Sequence, residues 1–267
     1  SHFSMGADAA DVNNDGFMDV VTLDMEPEDN FRQKMMSGVL TYDKLADMLE
    51  EGFIPQYMRN NLHLNNHDGT FSETGQLAGI YATEWSWSAL FSDLDNDGLQ
   101  DLFVTNGIRR DVTDRDFAVN AIRAEMALRK QKQYSTEKLN EVLLEILEGI
   151  PGYPQHNYLF KNVNGLQFQN KSIAWGLGQK TFSSGATAAD LDADGDLDLV
   201  INNIDAPAQL FRNQTSDQNS QHFLKVKLQY KGKNRQGYGA RITLWQNGSQ
   251  QTRQQQPVRG FQSSHGT

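Results

Sequence analysis

Three nine-residue stretches of one design constrain this chain more than any other feature. Asp11, Asn13, Asp15 and Asp19 stand at positions 1, 3, 5 and 9 of the first; Asp93, Asp95, Asp97 and Asp101 fill those positions in the second, and Asp190, Asp192, Asp194 and Asp198 in the third. A glycine follows at position 6 each time, Gly16, Gly98 and Gly195. Oxygen-bearing side chains at this spacing, folded back by a glycine turn, can converge on one hard cation that takes six to eight oxygens. Position 7, occupied by Phe17, Leu99 and Asp196, would add its backbone carbonyl. An isolated Asp-Gly is ordinary turn chemistry, because Asx side chains bond their own backbone and glycine supplies positive φ. Three copies that crowd carboxylates together, and so repel without a counter-ion, point instead to metal. All-oxygen ligands and the absence of cysteine select Ca²⁺ over Mg²⁺ or a softer ion, with about three sites expected.

The helix-loop-helix calcium site opens in the same way but needs a Glu at position 12, where this chain has Thr22, Val104 and Ile201. Short apolar runs follow each loop, Val20–Leu23, Leu102–Thr105 and Leu199–Asn202, too short and too β-branched for helices. Each loop therefore joins two strands.

The repetition extends past the loops. Asn61-Leu-His-Leu-Asn-Asn66 matches Asn157-Tyr-Leu-Phe-Lys-Asn162 in spacing, and the pattern begins again at Gln209-Leu-Phe-Arg-Asn213. Phe3–Asp11, Trp85–Asp93 and Phe182–Asp190 align as the strand before each loop. The order strand, turn, strand, strand, loop, strand, in a unit too small to bury its own face, is the signature of a β-propeller blade. The expected fold class is all-β, with about three blades over residues 1–213, and Phe3–Asp11 reads as the middle of a blade whose earlier strands are missing. Two wide spacers, about 26–58 and 108–155, read as helical insertions: Tyr42, Leu45, Met48 and Leu49 keep helical spacing, Phe117–Gln133 continues it, and Ser135 opens a further helix that Gly149-Ile-Pro151 ends. Insertions on a rigid scaffold carry binding or cap a face.

With its Asp-x-Asp-x-Asp-Gly-x-x-Asp loops, the chain resembles the FG-GAP or VCBS-type repeats of integrin-like β-propellers. The stretch Asn234–Leu244, with Gln250–Gly266, resembles the ASPIC/UnbV module known from cartilage acidic protein, over about 222–267; that module usually continues past this point, and truncation is expected there. The resemblance implies a calcium-stabilised, non-enzymatic module for protein–protein contact or adhesion, on a cell surface, outer-membrane anchoring included, or secreted. Calcium loops of this class work where free calcium is high.

Charge agrees with that reading. The formal net charge is −10, from 24 basic and 34 acidic residues, and such an acidic chain argues against nucleic acid and anionic membrane as partners. No leader or membrane span is visible, and the lack of cysteine excludes thiol catalysis. No nucleophile elbow, HExxH or phosphate loop is present, so no enzyme is expected. His63 and His67 lie four apart across a strand and turn, a poor zinc pair. The alternative partner is a glycan, stacked on Trp85 and Trp87, which alternate onto one strand face; packing between blades is the competing role for that pair, and Trp175 and Trp245 are expected to be buried.

Overall fold

A computed structural model describes residues 3–36, 42–54, 57–130, 135–218 and 222–264. Blade 1 is a four-stranded antiparallel sheet of β1 (Gly6–Ala10), β2 (Asp19–Leu23), β3 (Asn61–Asn65) and β4 (Phe71–Glu73), in that order. Helices α1 (Asn30–Met36) and α2 (Tyr42–Glu50) lie in the β2–β3 connection, and α3 (Gly75–Ala78) follows β4. Blade 2 repeats the sheet with β5 (Ser86–Ser92), β6 (Asp101–Asn106), β7 (Tyr158–Asn162) and β8 (Phe168–Asn170). Its β6–β7 connection holds α4 (Arg115–Arg129) and α5 (Thr136–Glu148). Blade 3 has β9 (Ser183–Ala189), β10 (Asp198–Asn203) and β11 (Gln209–Phe211), and then α6 (Thr215–Gln218). A final hairpin pairs β12 (Arg241–Gln246) with β13 (Ser249–Gln254). Its two-residue turn is Asn247-Gly248, with φ 51° and 84°, the left-handed pair that a tight hairpin demands.

The all-β blade reading and the two helical insertions therefore stand. Residues 37–41, 55–56 and 131–134 of those insertions, and 265–267 of the C-terminal module, lie outside the described residues. Ser135 caps α5 by accepting the Lys138 N–H at 3.2 Å, and Gly149 ends it. One expectation changes: Gly6–Ala10 is the first strand of a complete four-stranded sheet and not the middle of a partial one. The strand order was right but its frame was not, because each acidic loop joins the first and second strands of a sheet.

Blade 2 lies between the other two, and the period of two in its strands divides its side chains between them. Leu102 and Val104 of β6 pack with Val21, Leu62 and Phe91 on the blade 1 side. Phe103, between them in sequence, packs with Leu90, Leu177 and Leu199 on the blade 3 side. With both faces covered, all six residues of β6 are buried, and its consecutive Leu102, Phe103 and Val104 are all apolar. The first strands of the blades abut one another, and the Phe91 N–H of β5 donates to Asp8 of β1 at 2.7 Å.

At the end away from the acidic loops, α1 is tied down by charge. Arg32 is buried, with Nη2 2.7 Å from Glu84 and Nη1 2.8 Å from Asp111, and its guanidinium lies 3.9 Å from the centre of the Tyr153 ring. This joins the first insertion to the second through the blade 1–blade 2 connection. By contrast α2 has no buried residue.

Candidate metal sites in the three acidic loops

The three loops share one backbone turn and its position-5 and position-9 hydrogen bonds. The fourth and sixth residues take the left-handed conformation: Asn14 and Gly16 at φ 58° and 88°, Asn96 and Gly98 at 55° and 93°, Ala193 and Gly195 at 63° and 95°. Glycine at position 6 follows from that geometry, and Asn at position 4 is tolerated there. The position-9 carboxylate staples the loop. Asp19, Asp101 and Asp198 each accept the N–H of position 2 (Val12, Leu94, Leu191) on one oxygen and an asparagine N–H (Asn65, Asn162, Asn213) on the other, all between 2.8 and 3.1 Å. In the first two loops the position-1 carboxylate, Asp11 or Asp93, accepts the N–H groups of positions 5 and 6. Position 5 turns one oxygen to the N–H of position 7, in Asp15, Asp97 and Asp194 alike.

These bonds correct the spacing match made from sequence. Asn65, Asn162 and Asn213 are the equivalent residues, so the first copy is offset by one, and Asn60 rather than Asn61 corresponds to Asn157. Asn60 accepts the Asp24 N–H and Asn157 the Asn106 N–H, at 2.8 and 2.9 Å. Consecutive loops are also joined. Asn14 donates to the Gly98 carbonyl at 3.1 Å, and Asn96 to the Gly195 carbonyl at 3.3 Å.

The loops differ in how far their carboxylates converge. Oxygens of Asp93, Asp95 and Asp101 lie within 4.8 Å of one another, as do those of Asp190, Asp192 and Asp194. Among the described residues the first loop gathers no such triad. Asn13 replaces a carboxylate there, and Asp15 is drawn to His67 at 2.8 Å, whose ring stacks on Phe17 at 3.9 Å. His63 and His67 form no shared site: His63 stays in the ladder opposite Val20. Asp196 also serves locally, accepting the Ser216 N–H at 2.8 Å and so fixing the start of α6.

Burial sets the electrostatics. It pushes Asp93 and Asp19 up to about 6 and Asp101 up to about 8, despite the N–H groups that favour the ionised form, and it raises Asp11. In Asp15 the same desolvation is outweighed by His67 and by the Phe17 N–H, so that carboxyl lies low. Four lysine and arginine side chains reach carboxylates of the loops among the described residues, and the sequence reading missed all of them. Lys161 bonds Asp95 and, at 2.9 Å, Asp97; Arg212 pairs with Asp192 at 2.8 Å and Asp194 at 3.5 Å; Lys225 lies 3.7 Å from Asp190, and Arg253 of β13 4.0 Å from Asp93. The signal was present in the recurrence of a basic residue before the stapling asparagine, Lys161-Asn162 and Arg212-Asn213.

The donor set fits a hard divalent cation at loops 2 and 3. The ligand atoms are all oxygens, and the buried Oδ1 atoms of Asp95 and Asp190 accept no hydrogen bond among the described residues. Buried carboxylate oxygens left in this way are costly without a cationic partner.

Residues 43–104 match the family model of the FG-GAP-like repeat, and residues 230–267 match that of ASPIC and UnbV. The chain carries FG-GAP-like and ASPIC/UnbV sequence. The FG-GAP-like match runs from α2 into β6 and so contains loop 2; loops 1 and 3 lie outside it and share the loop 2 staple and position-5 turn bond. The ASPIC/UnbV match contains the β12–β13 hairpin, which lies against the acidic loops, with Arg241 donating to the Gly16 carbonyl at 3.3 Å. No curated protein matches the chain. Among the described residues no helix is long and apolar enough to cross a membrane.

Aromatic residues proposed as a sugar platform are placed otherwise. Trp85 is buried, and Trp87 is half-buried against Phe261 with its indole N–H on the Gly107 carbonyl at 2.8 Å. Trp175 and Trp245, expected inside, are 37% and 70% exposed. Trp175 takes the place that the small Ala78 holds in blade 1, and Trp245 projects from a two-stranded hairpin too thin to cover it.

Proposed function

We propose that this chain is a calcium-stabilised, non-enzymatic β-propeller-type module of an extracytoplasmic protein, cell-surface or secreted, that serves protein–protein contact. The observation that carries the calcium reading is the convergence of three carboxylates in each of loops 2 and 3, with buried oxygens left without donors. Asp93, Asp95 and Asp101 would hold one ion, and Asp190, Asp192 and Asp194 the other. Asp97, Asp198 and the carbonyls of Leu99 and Asp196 are available to complete the shells. When bound, the ion supplies charge neutralisation and cross-linking of a loop that the backbone bonds have already shaped. Asp11, Asn13, Asp15, Asp19 and the Phe17 carbonyl form the weakest site, because Asn13 replaces a carboxylate there and no three carboxylates converge among the described residues. The glycan alternative lacks its platform, since Trp85 and Trp87 pack inward.

Metal analysis tests the reading. After equilibration with equal calcium and magnesium and removal of free ions, the protein should retain at least two calcium ions per chain and no magnesium. Retention of less than one calcium would remove the metal from the account.

A further inference from the structure

The position-6 glycines of the three loops have a second reason to be glycine. The C-terminal stretch 222–254 crosses the loop face and lays one side chain on each of them. At Gly16 a Cβ would lie 2.9 Å from Gln250 Nε2, at Gly98 it would lie 2.6 Å from Gln251 Nε2, and at Gly195 it would enter the Phe223 ring. Left-handed backbone does not by itself bring such a contact. Gly69, at φ 89°, has open space where its Cβ would stand.

The same stretch brings positive charge to the loops. Arg241 donates to the Gly16 carbonyl at 3.3 Å, Lys225 lies 3.7 Å from Asp190, and Arg253 lies 4.0 Å from Asp93. Asp93 and Asp190 are the position-1 carboxylates of loops 2 and 3, and each belongs to a converging triad. Arg253 is half-buried, and its charge favours the ionised forms of both Asp11 and Asp93. Thr252 beside it is buried. A separate anchorage holds the chain beyond the hairpin: Arg259 bonds Asp8 and the Phe91 carbonyl, and the Phe261 ring lies 5.2 Å from that of Trp87. The hairpin can therefore lift without the C-terminal segment leaving the blades.

We propose that residues 222–254 form a cationic lid over the loop face, and that calcium at loops 2 and 3 loosens it. Lys225 and Arg253 are drawn to carboxylates that carry uncompensated negative charge. Once a divalent ion neutralises those triads, both side chains lose that attraction and face a like charge at short range. Coupling of this kind is reciprocal, so the lid also lowers the affinity of the loops for calcium. The inference rests on the metal reading of the proposed function and assigns its regulation to the C-terminal module.

Hydrogen exchange on the full chain, with and without saturating calcium, tests it, with retained calcium counted on the same samples. The β12–β13 pair is a two-stranded hairpin that needs support from outside itself, so its amides should exchange roughly fivefold faster or more in calcium. Lys225→Gln should raise calcium affinity at loop 3, and Arg253→Gln at loop 2, each by roughly fivefold or more in titrations. Lys225 is 72% exposed, so its variant keeps the test open should Arg253→Gln fail to fold. Retained calcium with hairpin exchange unchanged or slowed would overturn the lid and leave the metal reading intact, as would a Lys225→Gln chain that binds calcium no more tightly. No retained calcium would overturn both.

Discussion

Lys161 puts an ammonium on Asp95 and Asp97, in the space where a divalent ion would bind loop 2. Burial alone would lower its pKa, but the two carboxylates hold it above the ordinary lysine value. A cation so placed stabilises the metal-free loop and competes with the metal. Lys161→Gln should therefore raise calcium affinity at loop 2 and lower the melting temperature of the chelated protein, both read by titration and melts; a loss of calcium affinity would show that the lysine supports the site. Asp95→Ala should remove one calcium from the chain and lower the melting temperature in calcium, whereas an unchanged stoichiometry would exclude loop 2. The raised carboxyls fix a pH dependence. Asp19, Asp93 and Asp101 titrate near 4 in the unfolded chain but at about 6, 6 and 8 when folded without metal. Their contribution to stability is complete below about pH 4 and is lost as pH rises through 6 and 8. The melting temperature of the chelated protein should fall across that window and that of the calcium-loaded protein should fall less; a rise with pH in the chelated state would contradict the burial argument. At this scale the loop carboxylates were legible because they recur at fixed spacing. The cations that pair with them were not, since Lys161, Arg212 and Arg253 reach their partners only through strand pairing and hairpin docking.

Between residues and blades, the hydrogen bonds from Asn14 and Asn96 make each loop a brace on the next. Asn96→Ala should cost about 1 kcal/mol from the lost bond and the left-handed backbone together, measurable by denaturant unfolding. The Arg32 clasp should weigh more. Arg32→Ala strands two buried carboxylates, Glu84 and Asp111, and should destabilise by about 3–5 kcal/mol, with hydrogen exchange rising first in α1. A loss below about 1 kcal/mol would mean that water reaches the pair. Element identity was readable where one rule dominates: Ser135 and Gly149 as caps, β-branched runs as strands. The one-residue offset at Asn60 was not, because Asn60, Asn61, Asn65 and Asn66 fit the spacing equally well and only the staple to Asp19 decides between them. Trp175 and Trp245 show the limit of composition as a guide to burial. Their exposure follows from which neighbour each turn or hairpin has, and no local pattern encodes that.

For the molecule as a whole, three blades share a single cage-and-staple plan, and the middle one is packed on both faces. The three blades were legible from the repeated loops and strands, but the covering of the middle one on both faces was not, because Val20–Leu23 and Leu199–Asn202 are apolar runs of the same kind. The incomplete sheet of blade 3 was not legible, because the path of the chain after Asn213 depends on Asp194 and Asp196 capping α6. If metal cross-links the loops, calcium should stabilise the ensemble of blades and not one hairpin. Each occupied site would contribute about 2.7 kcal/mol when free calcium is a hundredfold above its Kd. The measurement that tests this most directly is calcium calorimetry on chelator-stripped protein, with thermal melts in parallel. The account predicts saturation at two strong sites and a weaker third, with a rise of several degrees in a single cooperative melting transition. No heat of binding and an unchanged melting temperature would reduce the three loops to acidic turns braced by lysines and arginines.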